Sequence, residues 1–297
     1  MDLIDAAELG RRLGMRAAID ALEAGFAAGV PGLPLRTATS TPDGQLLLMP
    51  AAGDQGVGVK LITLTSANPD RGLPFVQGTY VLFGPGSQSP EAVIDGTSLT
   101  RLRTGAVSGL ATRFLAREDA RRLVVFGAGV QARGHVEAVR TVRDIQEVVI
   151  VSRTPRRAEA LAAEVGGRVG SPADVAGADI VCTCTGSPRP LFDGAMLSEG
   201  VHVNAVGAYT PDTRELDTPT VARARVVVET REVAMAESGD LLIPLAEGAI
   251  GDDHVVADLA DVVRGAEVRR SPRDLTLFVS VGMAFEDLVV ARAAVDA

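Results

Sequence analysis

The stretch Leu123-Val124-Val125-Phe126-Gly127-Ala128-Gly129-Val130-Gln131-Ala132 restricts the possible folds more than any other part of this chain. An apolar strand runs into G-x-G-x-x-A and then into a helical pattern. The first glycine allows a tight turn, the second lets the backbone approach a pyrophosphate, and the small Ala132 lets the helix pack close to the strand. The helix start then offers free N–H groups and the positive end of the helix dipole. A glycine pattern alone carries little weight, but here strand, turn and helix stand in the right order and more βα alternation follows. Val148–Ser152, Ile180–Cys184, Val201–Val206 and Val226–Glu229 read as further strands separated by helical segments. The fold class expected is α/β: a doubly wound, Rossmann-type parallel sheet over residues 119–275 that binds a dinucleotide.

The chain before it has another texture. Residues 5–28 are rich in Ala and Leu with helical spacing and end at Gly29. Leu46–Met49, Val57–Leu64, Thr79–Phe83 and Ala92–Ile94 read as short strands between Gly, Pro, Asn and Asp turns. Strands in succession without helices between them predict an antiparallel sheet. Asp95-Gly96-Thr97-Ser98 then starts a helix running to about Leu115. These elements predict an α+β domain over residues 1–118, completed by 276–297 at the end of the chain.

The charge balance narrows the partners. Twenty-nine Lys and Arg against 38 Asp and Glu leave a net charge of -9. That excludes nucleic acid, which needs clustered positive charge. No apolar run reaches the ~18 residues that span a bilayer, so no membrane association is expected. The acidic start Met1-Asp2-Leu3-Ile4-Asp5 does not read as a signal peptide. Cys182 and Cys184 read as reduced core thiols of a cytoplasmic protein, and His135, His202 and His254 lack metal-ligand spacing, so no metal is expected.

Lys60 is the only lysine; every other basic side chain is arginine. An ammonium is a compact charge on a flexible stem that can hold a carboxylate or move a proton, whereas a guanidinium is a rigid planar fork. Its segment, Gly58-Val59-Lys60-Leu61-Ile62, alternates like a half-buried strand, and a lone lysine there points to chemistry.

The second Rossmann strand ends Ile150-Val151-Ser152-Arg153-Thr154, where NAD sites commonly place an acid for the ribose 2′-OH. Arg153 with Ser152, Thr154 and Arg157 suits a 2′-phosphate, so NADPH is preferred and NADH remains possible. Thr185, Asn204 and Ser280 end strands beside the expected nicotinamide crevice and are candidate cofactor contacts, with Gly127, Gly129, Val130 and Gln131 at the phosphates.

Several segments together resemble the ornithine cyclodeaminase/mu-crystallin family over nearly the whole chain. They are Leu48-Met49-Pro50, Val59-Lys60, Leu102-Arg103-Thr104-Gly105-Ala106-Val107-Ser108, Gly127 to Ala132, Asn204-Ala205-Val206-Gly207, Pro211-Asp212, Arg214-Glu215-Leu216, Ser238-Gly239-Asp240-Leu241 and Ser280-Val281-Gly282. The resemblance implies a substrate and dimerisation domain beside the Rossmann domain, a homodimer, and a small α-amino or α-imino acid as substrate. It implies that Arg36, Lys60 and Arg103 hold the substrate carboxylate, an arrangement in which arginine also fixes orientation, and that Thr104 lies near the cofactor phosphates.

The chain departs from the cyclodeaminases at two positions. Tyr209 stands where they carry a catalytic Asp, and Leu47 precedes Leu48-Met49-Pro50 where they place an acid. An imine reductase needs less, because its C=N carbon accepts a hydride and its nitrogen a proton. Tyr209, Lys60 or water could supply that proton, and the sequence does not choose among them. The expected activity is reduction of Δ1-pyrroline-2-carboxylate or Δ1-piperideine-2-carboxylate to proline or pipecolate. An ornithine cyclodeaminase, an alanine dehydrogenase-type enzyme, a non-catalytic NADPH-dependent binding protein like mu-crystallin and a biosynthetic enzyme for an unusual amino acid are the alternatives.

Overall fold

The structure, a computed structural model, describes residues 1–32 and 34–297. Its strands are β1 Asp2–Ile4, β2 Thr37–Thr41, β3 Gly44–Gly53, β4 Gly56–Leu64, β5 Val76–Phe83, β6 Pro90–Asp95, β7 Arg122–Phe126, β8 Glu147–Val151, β9 Arg168–Val169, β10 Ile180–Thr183, β11 His202–Ala205, β12 Arg225–Val228, β13 Val255–Asp258 and β14 Thr276–Val279. Its helices are α1 Ala6–Arg12, α2 Met15–Ala28, α3 Gly96–Leu115, α4 Val130–Val142, α5 Pro155–Val165, α6 Thr218–Arg223, α7 Arg231–Glu237, α8 Gly239–Ala246, α9 Leu259–Val263 and α10 Ala284–Asp296. The chain divides into two compact units, Met1–Arg103 with Met283–Ala297, and Thr104–Gly282.

The first unit is built on a six-stranded sheet in the order β1-β6-β5-β4-β3-β2. Neighbours from β2 to β6 pair antiparallel, while β1 joins β6 in parallel. Alternation sorts the sheet into two faces. Leu47, Met49, Lys60, Ile62, Tyr80, Leu82, Ala92 and Ile94 lie buried on one of them. Helix α10 packs on this face and α2 packs on α10. A Cβ at Gly25 would lie 3.0 Å from Val289, so α2 approaches α10 closely there, and Phe26 meets Phe285 edge-on at 5.5 Å. The opposite face carries Leu48, Pro50, Val59, Leu61, Val81 and Val93, which are half-buried to exposed.

The helix expected over 5–28 is two helices. Leu13 and Met15 are both buried, and a straight helix does not turn positions two apart to the same side. The chain breaks at Leu13 and Gly14, and Gly14 caps α2. Strands β1 and β2 carry no alternation that a sequence reading could use. β1 is three residues held by β6, and β2 is exposed throughout its length.

The second unit holds an eight-stranded sheet in the order β13-β12-β14-β11-β10-β7-β8-β9, with every pairing parallel. This is the doubly wound α/β sheet. Successive residues of β7 feed opposite layers: Leu123 and Val125 join one apolar cluster, Val124 and Phe126 the other. The strand order reverses between β7 and β10, so a crevice opens at their carboxyl ends. The tail from residue 276 is shared: β14 lies inside this sheet between β11 and β12, and α10 belongs to the first unit.

Candidate active site

In the first unit, a pair of cations sits in an apolar setting. Lys60 projects from the middle of β4 onto the covered face, opposite Met49 and Tyr80. It is fully buried, and its Nζ stands 2.7 Å from Asp287 Oδ2. Arg103, at the end of the unit's part of α3, is buried too; its Nη1 donates to Glu286 Oε2 at 2.7 Å and its Nε lies 3.4 Å from Asp287 Oδ1. Burial draws the Lys60 ammonium down to about 8; Asp287 pulls the other way, while Arg103 and Arg36 add to the lowering. Arg36, in the segment before β2, is half-buried and acts on Lys60 through its charge. The structure thus gathers Arg36, Lys60 and Arg103 in one field.

Tyr80 forms the floor beside Lys60. Its hydroxyl is buried without a hydrogen-bond partner among the described residues, and burial raises its pKa well above that of an ordinary phenol. A Cβ at Gly58 would clash with that hydroxyl, so the glycine makes room for it.

In the second unit, Gly127 and Gly129 have different reasons to be glycine. Gly127 has a φ of 111°, and a Cβ there would lie 2.6 Å from the Cys184 carbonyl. Gly129, the N-cap of α4, has an ordinary φ of -101°, and a Cβ there would meet nothing within 4 Å. The protein itself leaves the space over Gly129 open, at a helix start whose first N–H groups lack helical partners. Val130 is exposed at the first turn, and Gln131 Oε1 is buried with no hydrogen-bond partner among the described residues. The open space over Gly129 and the N–H groups of the helix start fit a pyrophosphate. Ser152 is half-buried after β8 and its hydroxyl accepts from Thr154 N–H at 3.3 Å, while Arg153, Thr154 and Arg157 are exposed. Thr104, on α3, is buried.

At the carboxyl ends of the parallel strands, two buried carboxylates organise the loops. Glu215 Oε1 accepts from Thr185 N–H at 2.7 Å and Thr185 Oγ1 at 2.6 Å, and its Oε2 accepts from Gly207 N–H at 2.7 Å. One side chain therefore ties the loop after β10 to the loop after β11. Burial raises the Glu215 carboxyl against these bonds, which favour its charged form. Asp240 supports it: Asp240 Oδ1 accepts from Glu215 N–H and Leu216 N–H, each at 2.9 Å. Burial and then the Glu215 charge push Asp240 up to about 7. Glu229 does the same after β14, accepting from Ser280 Oγ at 2.6 Å, Val281 N–H at 3.1 Å and Gly282 N–H at 2.9 Å.

Thr185 and Ser280 thus stand at strand ends with their hydroxyls bonded to carboxylates. Asn204 lies deeper. Its amide donates to Thr112 Oγ1 at 2.9 Å and to Cys182 Sγ at 3.6 Å, so its side chain is engaged inside the unit. Tyr209 is half-buried on the loop after β11. Among the described residues, no group of three or more His, Cys, Asp and Glu side chains converges as a metal site would.

A profile of the ornithine cyclodeaminase/mu-crystallin family matches residues 2–297. The chain belongs to this family. Within it, Δ1-pyrroline-2-carboxylate reductase of Bacillus cereus is 38% identical over 258 residues, covering 83% of this chain and 79% of the relative. The solved structure of Thermococcus litoralis Δ1-pyrroline-2-carboxylate reductase, in complex with NADH and L-proline, superposes with a TM-score of 0.94 at 35% identity, covering 100% of this chain and 97% of that one. An archaeal alanine dehydrogenase dimer with bound NAD superposes at 0.93 with 30% identity, covering 100% and 95%.

Four carboxylates of this family member escaped the reading of its sequence as site residues: Glu215, Glu229, Glu286 and Asp287. A signal existed for two of them. Phe285-Glu286-Asp287-Leu288-Val289 places two acids inside an apolar helical run, where charged side chains are rarely buried without partners.

Proposed function

We propose that this protein is an NADPH-dependent reductase of small α-imino acids, taking Δ1-pyrroline-2-carboxylate or Δ1-piperideine-2-carboxylate to proline or pipecolate. The observation that carries the reading is the burial of Lys60 and Arg103 around one carboxylate, Asp287, with Arg36 acting on Lys60 as well. Buried ion pairs are weak contributors to stability for what their desolvation costs, which points to a task. With Arg36 they hold the substrate carboxylate, and that grip sets the imine carbon in place. The names of the Bacillus cereus and Thermococcus litoralis relatives support the same substrate class.

The second unit takes the dinucleotide, which when bound supplies the hydride that the C=N carbon accepts. Gly127, Gly129, Val130 and Gln131 hold its pyrophosphate. Ser152, Arg153, Thr154 and Arg157 hold a 2′-phosphate, with NADH as the lesser cofactor. Thr104, Thr185 and Ser280 shape its remaining contacts, with Asn204 supporting them from inside the unit. Lys60 is protonated at neutral pH yet gives up its proton near 8, which suits it to protonate the imine nitrogen. Tyr209 is the other candidate donor.

Cyclodeamination is disfavoured because Tyr209 and Leu47 occupy the positions of the family's acids, and Leu47 is buried in the sheet's covered face. The apolar open face of Leu48, Pro50, Val59, Leu61, Val81 and Val93 supports a homodimer joined through the first unit. Two free cysteines fit a cytoplasmic protein.

The test is NADPH oxidation with freshly generated Δ1-pyrroline-2-carboxylate, run beside NADH and beside pyruvate plus ammonia. Turnover on the cyclic imine is expected. Oxidation with pyruvate and ammonia instead would make it an amino-acid dehydrogenase, and cofactor binding without any turnover would make it a carrier.

A further inference from the structure

Asp287 stands at the centre of the cation cluster in the first unit. It is fully buried in the first turn of α10, with one oxygen 2.7 Å from Lys60 Nζ and the other 3.4 Å from Arg103 Nε. Its neighbour Glu286, also buried, takes Arg103 Nη1 at 2.7 Å. Asp287 thus lies between two cations, and Arg36 acts on the same Lys60 through its charge.

The groups around Lys60 do not act alike. Tyr80 from β5 is a neutral phenol, and Met49 from β3 is apolar. Arg103 from α3 and Arg36 from the segment before β2 repel the ammonium's charge, and burial opposes it. Glu286, from α10, is engaged by Arg103. Asp287 is the group in contact with Lys60 that favours its proton.

We infer that Asp287 is a positioning residue of this site: it holds the Lys60 ammonium in place and protonated, ready to meet a substrate carboxylate. The inference rests on the reading of Lys60 as part of the carboxylate grip. Removing the Asp287 charge leaves burial and two guanidiniums acting together on Lys60, and the proton leaves near neutral pH. Glu286 plays no such role, because the guanidinium it meets stays charged at any working pH.

A direct measurement is open because this chain has one lysine. Protein grown with lysine isotopically labelled at Cε gives a single side-chain resonance, and its chemical shift titrates Lys60 alone. In the wild-type enzyme the midpoint is expected at about 8. In Asp287→Asn it should fall by more than one pH unit, about tenfold in the protonation equilibrium, and in Glu286→Gln it should stay close to the wild-type value. An unchanged midpoint in Asp287→Asn overturns the inference. Should that variant not fold, a wild-type midpoint below neutral pH overturns it equally, since the ammonium would then not be held.

The titration needs no turnover, so it separates this inference from the reductase reading. With Δ1-pyrroline-2-carboxylate, Asp287→Asn should raise KM about tenfold at pH 8 and recover toward wild type at pH 6, with NADPH affinity unchanged. A raised KM that pH does not relieve points to a packing role alone and also overturns it. Wild-type protein that titrates as expected but reduces no imine would instead sink the reductase reading.

Discussion

Glu286 and Asp287 in the first unit are met by a guanidinium and an ammonium, whereas Glu215 and Glu229 in the second are met by backbone N–H groups and hydroxyls. Both arrangements satisfy a buried carboxylate, but they behave differently. Backbone donors neither titrate nor leave, so they hold the loops after β10, β11 and β14 without a mobile counter-charge. A cation can be shared with an incoming anion, and an ammonium can lose its proton. The first unit therefore has charges that respond to ligand and pH, and the second has carboxylates that keep a shape.

The comparison is broken most forcefully at Lys60. Lys60→Ala strips Asp287 of its ammonium, and breaking a buried pair in this way costs about 3–5 kcal/mol. Denaturant unfolding should show that loss, and kcat/KM for the imine should fall about ten- to a hundredfold, from a charged bond worth roughly 1.5–3 kcal/mol. An unchanged kcat/KM would end the carboxylate role.

Glu215→Gln tests the second arrangement. The amide keeps one acceptor and turns a donor toward one of the N–H groups, which should cost roughly 1–3 kcal/mol. Cofactor affinity by calorimetry should weaken while the Lys60 titration stays in place. A shifted Lys60 midpoint in this variant would mean that the two units do not act separately.

The two glycines sharpen the contrast between shape and ligand space. Gly127→Ala forces a side chain into a positive φ and against the Cys184 carbonyl, so it should lower the unfolding temperature. Gly129→Ala should cost about 1 kcal/mol, because alanine caps a helix less well than glycine, and weaken dinucleotide binding. Loss of stability without loss of binding in Gly129→Ala would show that the space over it serves no ligand.

The contrast also extends to the pH dependence of Asp240. Its carboxyl ordinarily titrates near 3.8 and is raised to about 7 in the folded chain. The folded state thus keeps a proton that the unfolded chain has released. This contribution is largest below 3.8 and falls as pH rises through about 7. Asp240→Asn should flatten that slope, because an amide can still accept from Glu215 and Leu216 N–H. A slope unchanged in the variant would place the titration elsewhere.

The second unit was legible because its information is local. Leu123 to Ala132 holds strand, turn and helix in ten consecutive positions, and alternation marked the main strands of the first unit. The lone lysine was visible as an anomaly of composition. What faces it was not: Arg103 and Glu286 are 183 positions apart, and no spacing rule joins them. Glu215 and Glu229 escaped as site residues for the same reason, since their donors lie in loops far from them along the chain. The break at Gly14 escaped because the burial of Leu13 and Met15 is a tertiary demand that helix propensity does not record.

The first unit is discontinuous: α10 returns to it only after the whole of Thr104–Gly282 has been threaded through the second. A ribosome therefore delivers Lys60 and Arg103 long before Glu286 and Asp287 exist to meet them. Domains commonly fold in the order of their synthesis; here the unit begun first must be finished last, after the parallel sheet is already whole. A chain stopped before Met283 would keep the strands of that sheet and lose both carboxylates from the cation cluster. The last fifteen positions thus act as a closing part, without which the earliest-made cations have no counter-charge.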